Sequence, residues 1–215
     1  MPEERRPKWF NFVRVEVIFL VLLLLTTVCS TFCAYQANHW SGIESRHYQE
    51  ATSLRTQSVN AHNVANTEVL IDLSAFLAWV DAVAANDTVR AEGITERFNP
   101  EFKPAFAAWR ELAAGQPKGT TPPGTPFSLP EYRLSAEVQG RLLEENATAI
   151  FNEALAAGNV SSSYVLNTLI YAIVLFLCGV GERWKSPQLR MVILASAVVL
   201  FCFATATLLW LPKSF

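Results

Sequence analysis

The stretch VIFLVLLLLTTVCSTFCA, residues 17–34, decides the fold, because it is long, apolar and free of charged side chains. A helix of about 18–20 apolar residues matches the roughly 30 Å hydrocarbon thickness of a bilayer. Two further stretches of this kind follow at 164–181 and 191–211. The sequence therefore predicts an all-α integral membrane protein with three transmembrane helices.

A polar segment of 125 residues separates the first apolar stretch from the second. It is long enough to form a small helical domain with its own core. The predicted organisation is a cytoplasmic tail (1–16), three transmembrane helices (17–37, 163–181 and 191–211), an extracytoplasmic helical bundle (38–162), a cytoplasmic turn (182–190) and an extracytoplasmic tail (212–215).

The distribution of charge predicts the orientation. Segment 38–162 contains 9 Lys and Arg against 15 Asp and Glu, a net charge of −6, whereas the rest of the chain has a net charge of +4. Short basic loops stay in the cytoplasm, while long segments cross largely regardless of their charge. The basic tail 1–16 and turn 182–190 are therefore predicted to be cytoplasmic. The acidic segment argues against a nucleic-acid partner, which needs a basic patch.

The first helix is predicted to continue beyond the membrane to about residue 85, because no proline occurs between Lys8 and Asn99. Two stripes recur along it at a spacing of three or four residues. The lower stripe is small and half polar, which predicts a close helix seam, and the upper stripe is larger, which predicts an amphipathic core face. The lower stripe comprises Ala51, Leu54, Ser58, Ala61 and Ala65, and the upper comprises Leu70, Leu73, Leu77, Val80 and Ala84.

Shorter helices are predicted between the two long ones. A helix over 87–97 follows Asn86, and Asn99-Pro100 resembles an N-cap followed by a proline at the first helical position. Pro104 would interrupt that helix, so a kinked pair of turns is expected. The Pro- and Gly-rich stretch 115–130 predicts a loop, whose order stays open.

An aromatic stripe is predicted within this region. Its members are Phe98, Phe102, Phe106 and Trp109. Aromatic residues at helical spacing usually belong to a core, and an aromatic pocket or a partner surface is the alternative.

Several polar residues lie in or next to the apolar stretches. Ionisable and polar groups at such positions are candidates for function, although hydroxyls and amides also hold membrane helices together. The alternative hypothesis is that these side chains line a pore. The candidates are Glu16, Thr27, Ser30, Thr31 and Asn167.

Motifs for catalysis and for cofactors are missing from the sequence. Glu44 and His47 form a single E-x-x-H, whereas a di-iron bundle needs two such pairs and two further glutamates. There is no G-x-S-x-G, no phosphate-binding glycine loop and no H-E-x-x-H. We therefore predict no catalytic residue, no metal, no cofactor and no enzymatic activity, although a site made from scattered acids and histidines stays open.

The motifs RFNPEFKPAFAAW (97–109) and TPFSLPEYRL (125–134), together with the basic turn KSPQLR (185–190), resemble a group of bacterial three-span membrane proteins without an assigned activity. The resemblance covers most of the chain from the first apolar stretch onward. It implies a bacterial inner membrane and a periplasmic location for 38–162, and it carries over no catalytic residue.

These patterns favour a non-enzymatic structural or accessory membrane protein. Its periplasmic helical domain would bind copies of itself or a membrane-protein partner. Membrane lipid would surround the three helices. A homo-oligomeric ion channel and a sensor subunit that signals through a separate partner remain the alternatives.

Overall fold

The computed structural model describes residues 8–114, 124–184 and 186–213, with side chains from Glu16 onward. Within these ranges the chain is helical and contains no strand. The helices are α1 (Lys8–Ala84), α2 (Thr88–Glu96), α3 (Lys103–Ala114), α4 (Ser135–Arg183) and α5 (Pro187–Trp210), and a short 3-10 helix covers Pro126–Ser128.

Three of these helices are long and apolar enough to cross a membrane. They are α1, α4 and α5, and their most apolar 18-residue windows have mean hydropathies of 2.5, 2.0 and 2.5. The structure therefore confirms the prediction of an all-helical chain with three candidate transmembrane helices. The unbroken first helix is confirmed as well, because α1 ends at Ala84.

The chain divides into two compact units. Unit 1 consists of residues up to Tyr48 and from Phe151 onward, and unit 2 consists of Gln49–Ile150. Both long helices, α1 and α4, contribute to each unit. The serines at 161–163 lie within the continuous helix α4.

In unit 1, α4 and α5 run antiparallel. Tyr164 donates a hydrogen bond to the Pro212 carbonyl (3.0 Å), and the Tyr171 hydroxyl lies 3.2 Å from that of Thr205. Residue numbers therefore rise on one helix as they fall on the other. The turn between them is short because Pro187 starts α5 immediately after the cap Ser186.

In unit 2, the start of α3 differs from the expectation. Asn99 and Pro100 form a turn in which Asn99 Oδ1 accepts from the Glu101 amide (3.2 Å), and the helix begins only at Lys103. Pro104 then lies in the first helical turn, where a backbone N–H has no acceptor within the helix. A proline there therefore costs no hydrogen bond. The expected helix start at Pro100 is therefore wrong, whereas Asn99 does accept as an N-cap would, because its carbonyl also accepts from the Lys103 amide (3.1 Å). The expected helix over 87–97 is confirmed as α2, and Asp87 caps it by accepting from the Arg90 amide (3.0 Å).

The loop predicted for 115–130 lies partly outside the described residues, which exclude 115–123. The part that is described contains the 3-10 turn at Pro126–Ser128, and Gly124 adopts a positive φ of 86°. Only glycine adopts this conformation without strain.

Candidate functional site

The aromatic stripe lies in the core of unit 2. Its four members are between 0% and 8% exposed. Phe102, Phe106 and Trp109 contact Phe76 of α1, and Phe98 packs on Phe102 and Phe106. The Phe76 ring meets those of Trp109 (5.4 Å) and Phe127 (5.8 Å) edge to face, a favourable geometry. These rings are packed against one another, so the stripe belongs to the core and does not form an exposed surface. Its buried members are Phe98, Phe102, Phe106 and Trp109.

A buried carboxylate lies at the edge of this core, and the sequence reading missed it. Asp72 of α1 is 1% exposed, and its Oδ2 accepts a hydrogen bond from the Tyr132 hydroxyl (3.0 Å). Burial raises the pKa of Asp72, the Tyr132 hydrogen bond lowers it, and the nearby Glu101 raises it. Burial also raises the pKa of Tyr132, and Asp72 raises it further, so Tyr132 stays a neutral donor at physiological pH.

The same acidic neighbourhood fixes the start of α4. Glu101 Oε2 accepts a hydrogen bond from the amide of Ser135, the first residue of that helix (2.9 Å). Backbone amides at a helix N-terminus attract negative charge, so the carboxylate stabilises this end. Asp72 and Glu101 therefore tie the segment before α4 and the start of α4 to other parts of unit 2.

The stability of unit 2 should depend on pH through Asp72. Its folded-state pKa lies above the ordinary value of 3.8, so this group stabilises the fold fully below pH 3.8 and loses that effect as pH rises through the folded-state pKa. We expect Asp72→Asn, which keeps an oxygen acceptor for Tyr132, to reduce the decline in unfolding free energy as pH rises above the ordinary pKa of 3.8. Hydrogen exchange of unit 2 in micelles measures this. The exposed Asp81 on the same helix supplies the control, Asp81→Asn. Identical pH profiles for the wild type and Asp72→Asn would contradict the prediction.

The predicted helix seam lies on the inner face of α1 in unit 2. Ala51, Ser58 and Ala65 are buried, and Leu54 and Ala61 are half-buried. The Ser58 hydroxyl donates to the Gly140 carbonyl of α4 (2.8 Å), so the two helices approach closely. A Cβ at Gly140 would lie 2.9 Å from the His62 ring, so a larger residue there would have to displace that side chain.

The predicted core face on the upper part of α1 is wrong. Leu70, Leu77 and Val80 are 66%, 53% and 40% exposed, and Leu73 and Ala84 are exposed as well. The face of α1 that is buried in unit 2 carries Phe76 and Asp72 instead, because α3 supplies aromatic partners on that side. An apolar face of this helix is thus left uncovered.

Unit 1 has a buried polar centre at Asn167. Its side chain is 2% exposed, its amide donates to the Ala204 carbonyl (3.0 Å), and its oxygen accepts from the Thr207 hydroxyl (3.0 Å). The amide also lies 3.8 Å from Cys33 Sγ of α1. Asn167 therefore links α4 to α5 and contacts α1, which is how polar groups join helices in lipid.

The other polar candidates of the first span are not gathered at this centre. Thr27 and Thr31 are exposed and donate to carbonyls of their own helix, those of Leu23 and Thr27. Ser30 is half-buried. Hydroxyls bonded in this way are already satisfied and are ordinary in apolar helices.

Glu16 lies beside a basic residue of the turn 182–190, which the sequence analysis used only to predict the orientation of the chain in the membrane. Arg190, 4% exposed, lies 3.8 Å from Glu16 Oε1, and its guanidinium lies 5.5 Å from the centre of the Phe19 ring. Gly181 makes room here, since a Cβ would come within 2.7 Å of that ring. The pair therefore anchors the start of α5 to α1 within unit 1.

No group of three or more His, Cys, Asp or Glu side chains that could hold a metal ion occurs in the described ranges. Glu44 and His47 do not form such a group, and His47 instead lies 3.5 Å from Glu153.

Comparison of the chain with protein-family models, with curated proteins and with solved structures gave no match.

Proposed function

We propose that this chain is a non-enzymatic structural or accessory membrane protein that associates with other proteins through its helical segment between the first two spans. The observation that carries the proposal is the uncovered apolar face of α1 in unit 2, where Leu70 and Leu77 are 66% and 53% exposed. Side chains of this size outside a membrane are usually covered by a protein partner when they form a continuous patch. The aromatic core beside them is already complete without them.

The proposal includes the location of this segment. The basic charge of the flanking tail and turn supports a location of segment 38–162 outside the cytoplasm. The sequence resemblance supports the bacterial inner membrane as the membrane that holds the three helices. Unit 2 is then periplasmic, and its apolar face is available to a partner anchored in the same membrane.

The channel alternative has weaker support. A pore needs polar groups aimed at a common axis, whereas Thr27 and Thr31 donate to their own helix and Glu16 lies beside Arg190. The sensor alternative would require a separate output protein.

Co-purification tests the proposal. A tagged and an untagged copy are expressed together, crosslinked in native membranes and solubilised gently. We expect the tagged chain to retain either the untagged copy or one other protein in a fixed ratio. Recovery of the tagged chain alone, at the mass of one chain (23.9 kDa) plus the tag, would contradict the proposal.

A further inference from the structure

A groove lies between α4 and α5, close to the end of α5 that carries Trp210. Its volume is about 550 Å³, and all of its lining residues belong to unit 1. Both walls are formed by helices that are long and apolar enough to cross a membrane. Most of the side chains in the walls are apolar, and they include Leu166, Ile170, Phe203, Ala206 and Trp210.

We propose that this groove binds one acyl chain of a phospholipid whose headgroup lies beside Lys213. Lipid tails are as apolar as the helices, so contact between them depends on close packing. A groove of this size would be a void if no acyl chain entered it, and a void forfeits dispersion contacts. Pockets of about 300–1,000 Å³ with mostly apolar walls are typical of small-molecule sites. The inference goes beyond the protein association proposed above and does not depend on it.

The polar side chains within the groove already have hydrogen-bond partners. Asn167 donates to the Ala204 carbonyl and accepts from the Thr207 hydroxyl. Ser163, which also lines the groove, donates to the Asn159 carbonyl (2.8 Å). A polar ligand would have to compete with these bonds, whereas an acyl chain needs none of them. The interior of the groove therefore favours hydrocarbon.

The length of the groove favours an acyl chain over a helix of another protein. Its lining residues lie within 163–170 on α4 and 203–211 on α5, which is about 12–14 Å of helix. A transmembrane helix has to cross about 30 Å of hydrocarbon, so more than half of it would lie beyond the groove. A flexible acyl chain can fill a short groove and continue into the bilayer.

The end of the groove near Trp210 offers polar contacts for a headgroup. Trp210 is 92% exposed, and tryptophan at the end of a membrane helix usually lies at headgroup level, where its indole N–H can donate to a lipid oxygen. The Pro212 carbonyl accepts from Tyr164, which holds the chain after α5 against α4. The next residue, Lys213, is exposed, and its positive charge complements a phosphate.

Native mass spectrometry of the full-length protein in mild detergent tests this inference, with dioleoyl phosphatidylglycerol as the added lipid. Ala206→Phe places a ring in the groove. Ala195→Phe is the matched control, because it is the same exchange on the same helix, at an exposed position outside this groove. Ala206 is exposed as well, so neither ring enters the packing of the chain against itself. Equal midpoints of unfolding in sodium dodecyl sulfate verify that both variants fold.

The wild type should bind phosphatidylglycerol until one molecule is held per chain. Ala206→Phe should retain less than about a tenth of that amount, because a ring and an acyl chain cannot occupy the same space, and Ala195→Phe should retain all of it. Lys213→Gln should weaken the binding about fivefold, the usual effect of one lysine on an anionic headgroup. It should not change the binding of dioleoyl glycerol, which has no phosphate.

Three results would overturn the inference. The first is equal lipid retention by Ala206→Phe and Ala195→Phe, and the second is binding that does not saturate at one molecule per chain. The third is a bound protein, without lipid, that is lost only from Ala206→Phe, which would assign the groove to a partner helix. Equal affinity of Lys213→Gln and the wild type for phosphatidylglycerol would overturn the position of the headgroup. Association through unit 2 is measured separately by the co-purification described above.

Discussion

Replacing Phe106 with alanine should destabilise unit 2 by about 3–5 kcal/mol, the usual cost of removing a buried aromatic side chain. Phe106 is 3% exposed, and its ring contacts those of Phe98 (4.8 Å) and Trp79 (4.9 Å) edge to face. It also meets Phe76, Phe102 and Trp109. These rings already pack against one another, so truncation of Phe106 leaves a cavity among them.

The matched control for this change is Leu112→Ala on the same helix, α3. Leu112 is 52% exposed, and truncation of an exposed side chain usually shifts stability by no more than about 0.5 kcal/mol. Amide hydrogen exchange of the full-length protein in micelles, followed peptide by peptide over α2 and α3, measures the stability of unit 2 in both variants. Since domains are stable by only about 5–15 kcal/mol, the Phe106 variant should lose most of its protection in unit 2. Equal protection in the two variants would contradict the assignment of the stripe to the core.

Asn167→Leu should destabilise the association of α4 with α5 by about 1–3 kcal/mol. Each interhelical hydrogen bond in a membrane contributes about 0.6 kcal/mol on average and up to about 1.7, and Asn167 makes two, to Ala204 and Thr207. Leucine also has a different shape at a site that is 2% exposed, which adds a packing cost.

Unfolding by sodium dodecyl sulfate from mild micelles measures the effect of Asn167→Leu. Thr27→Val is the control, since the Thr27 hydroxyl is exposed and bonded only to the carbonyl of Leu23 in its own helix. We expect a lower unfolding midpoint for the Asn167 variant and little change for the Thr27 variant. A larger effect at Thr27 than at Asn167 would contradict the structural role given to Asn167.

The long helices could be predicted because local features determine them. Three charge-free apolar stretches define the spans, and the lack of proline from Lys8 to Asn99 predicts the unbroken α1. The start of α3 could not be predicted in the same way. Two prolines lie four residues apart, and either can occupy a first helical turn, so the choice of Pro104 depends on how the turn at Asn99 packs.

The inner face of α1 could not be predicted from periodicity alone. Its upper half has two adjacent apolar faces, one with Phe76 and Trp79 and the other with Leu70 and Leu77. Which of them is covered depends on aromatic residues of α3 that come some 30 residues later in the chain. The Asp72–Tyr132 hydrogen bond joins residues 60 positions apart, so no local pattern could reveal it.

The central claim is that lipid surrounds three helices and that the acidic segment between the first two lies on the far side from the cytoplasm. One measurement tests it most directly, namely labelling of single cysteines by a membrane-impermeant maleimide in intact cells. Val89, 81% exposed in unit 2, and Trp184, 48% exposed in the turn before α5, are suitable positions in a cysteine-free background. We predict that Val89→Cys is labelled in intact cells and that Trp184→Cys is labelled only after lysis. Labelling of Trp184→Cys from outside, with Val89→Cys protected until lysis, would contradict the account.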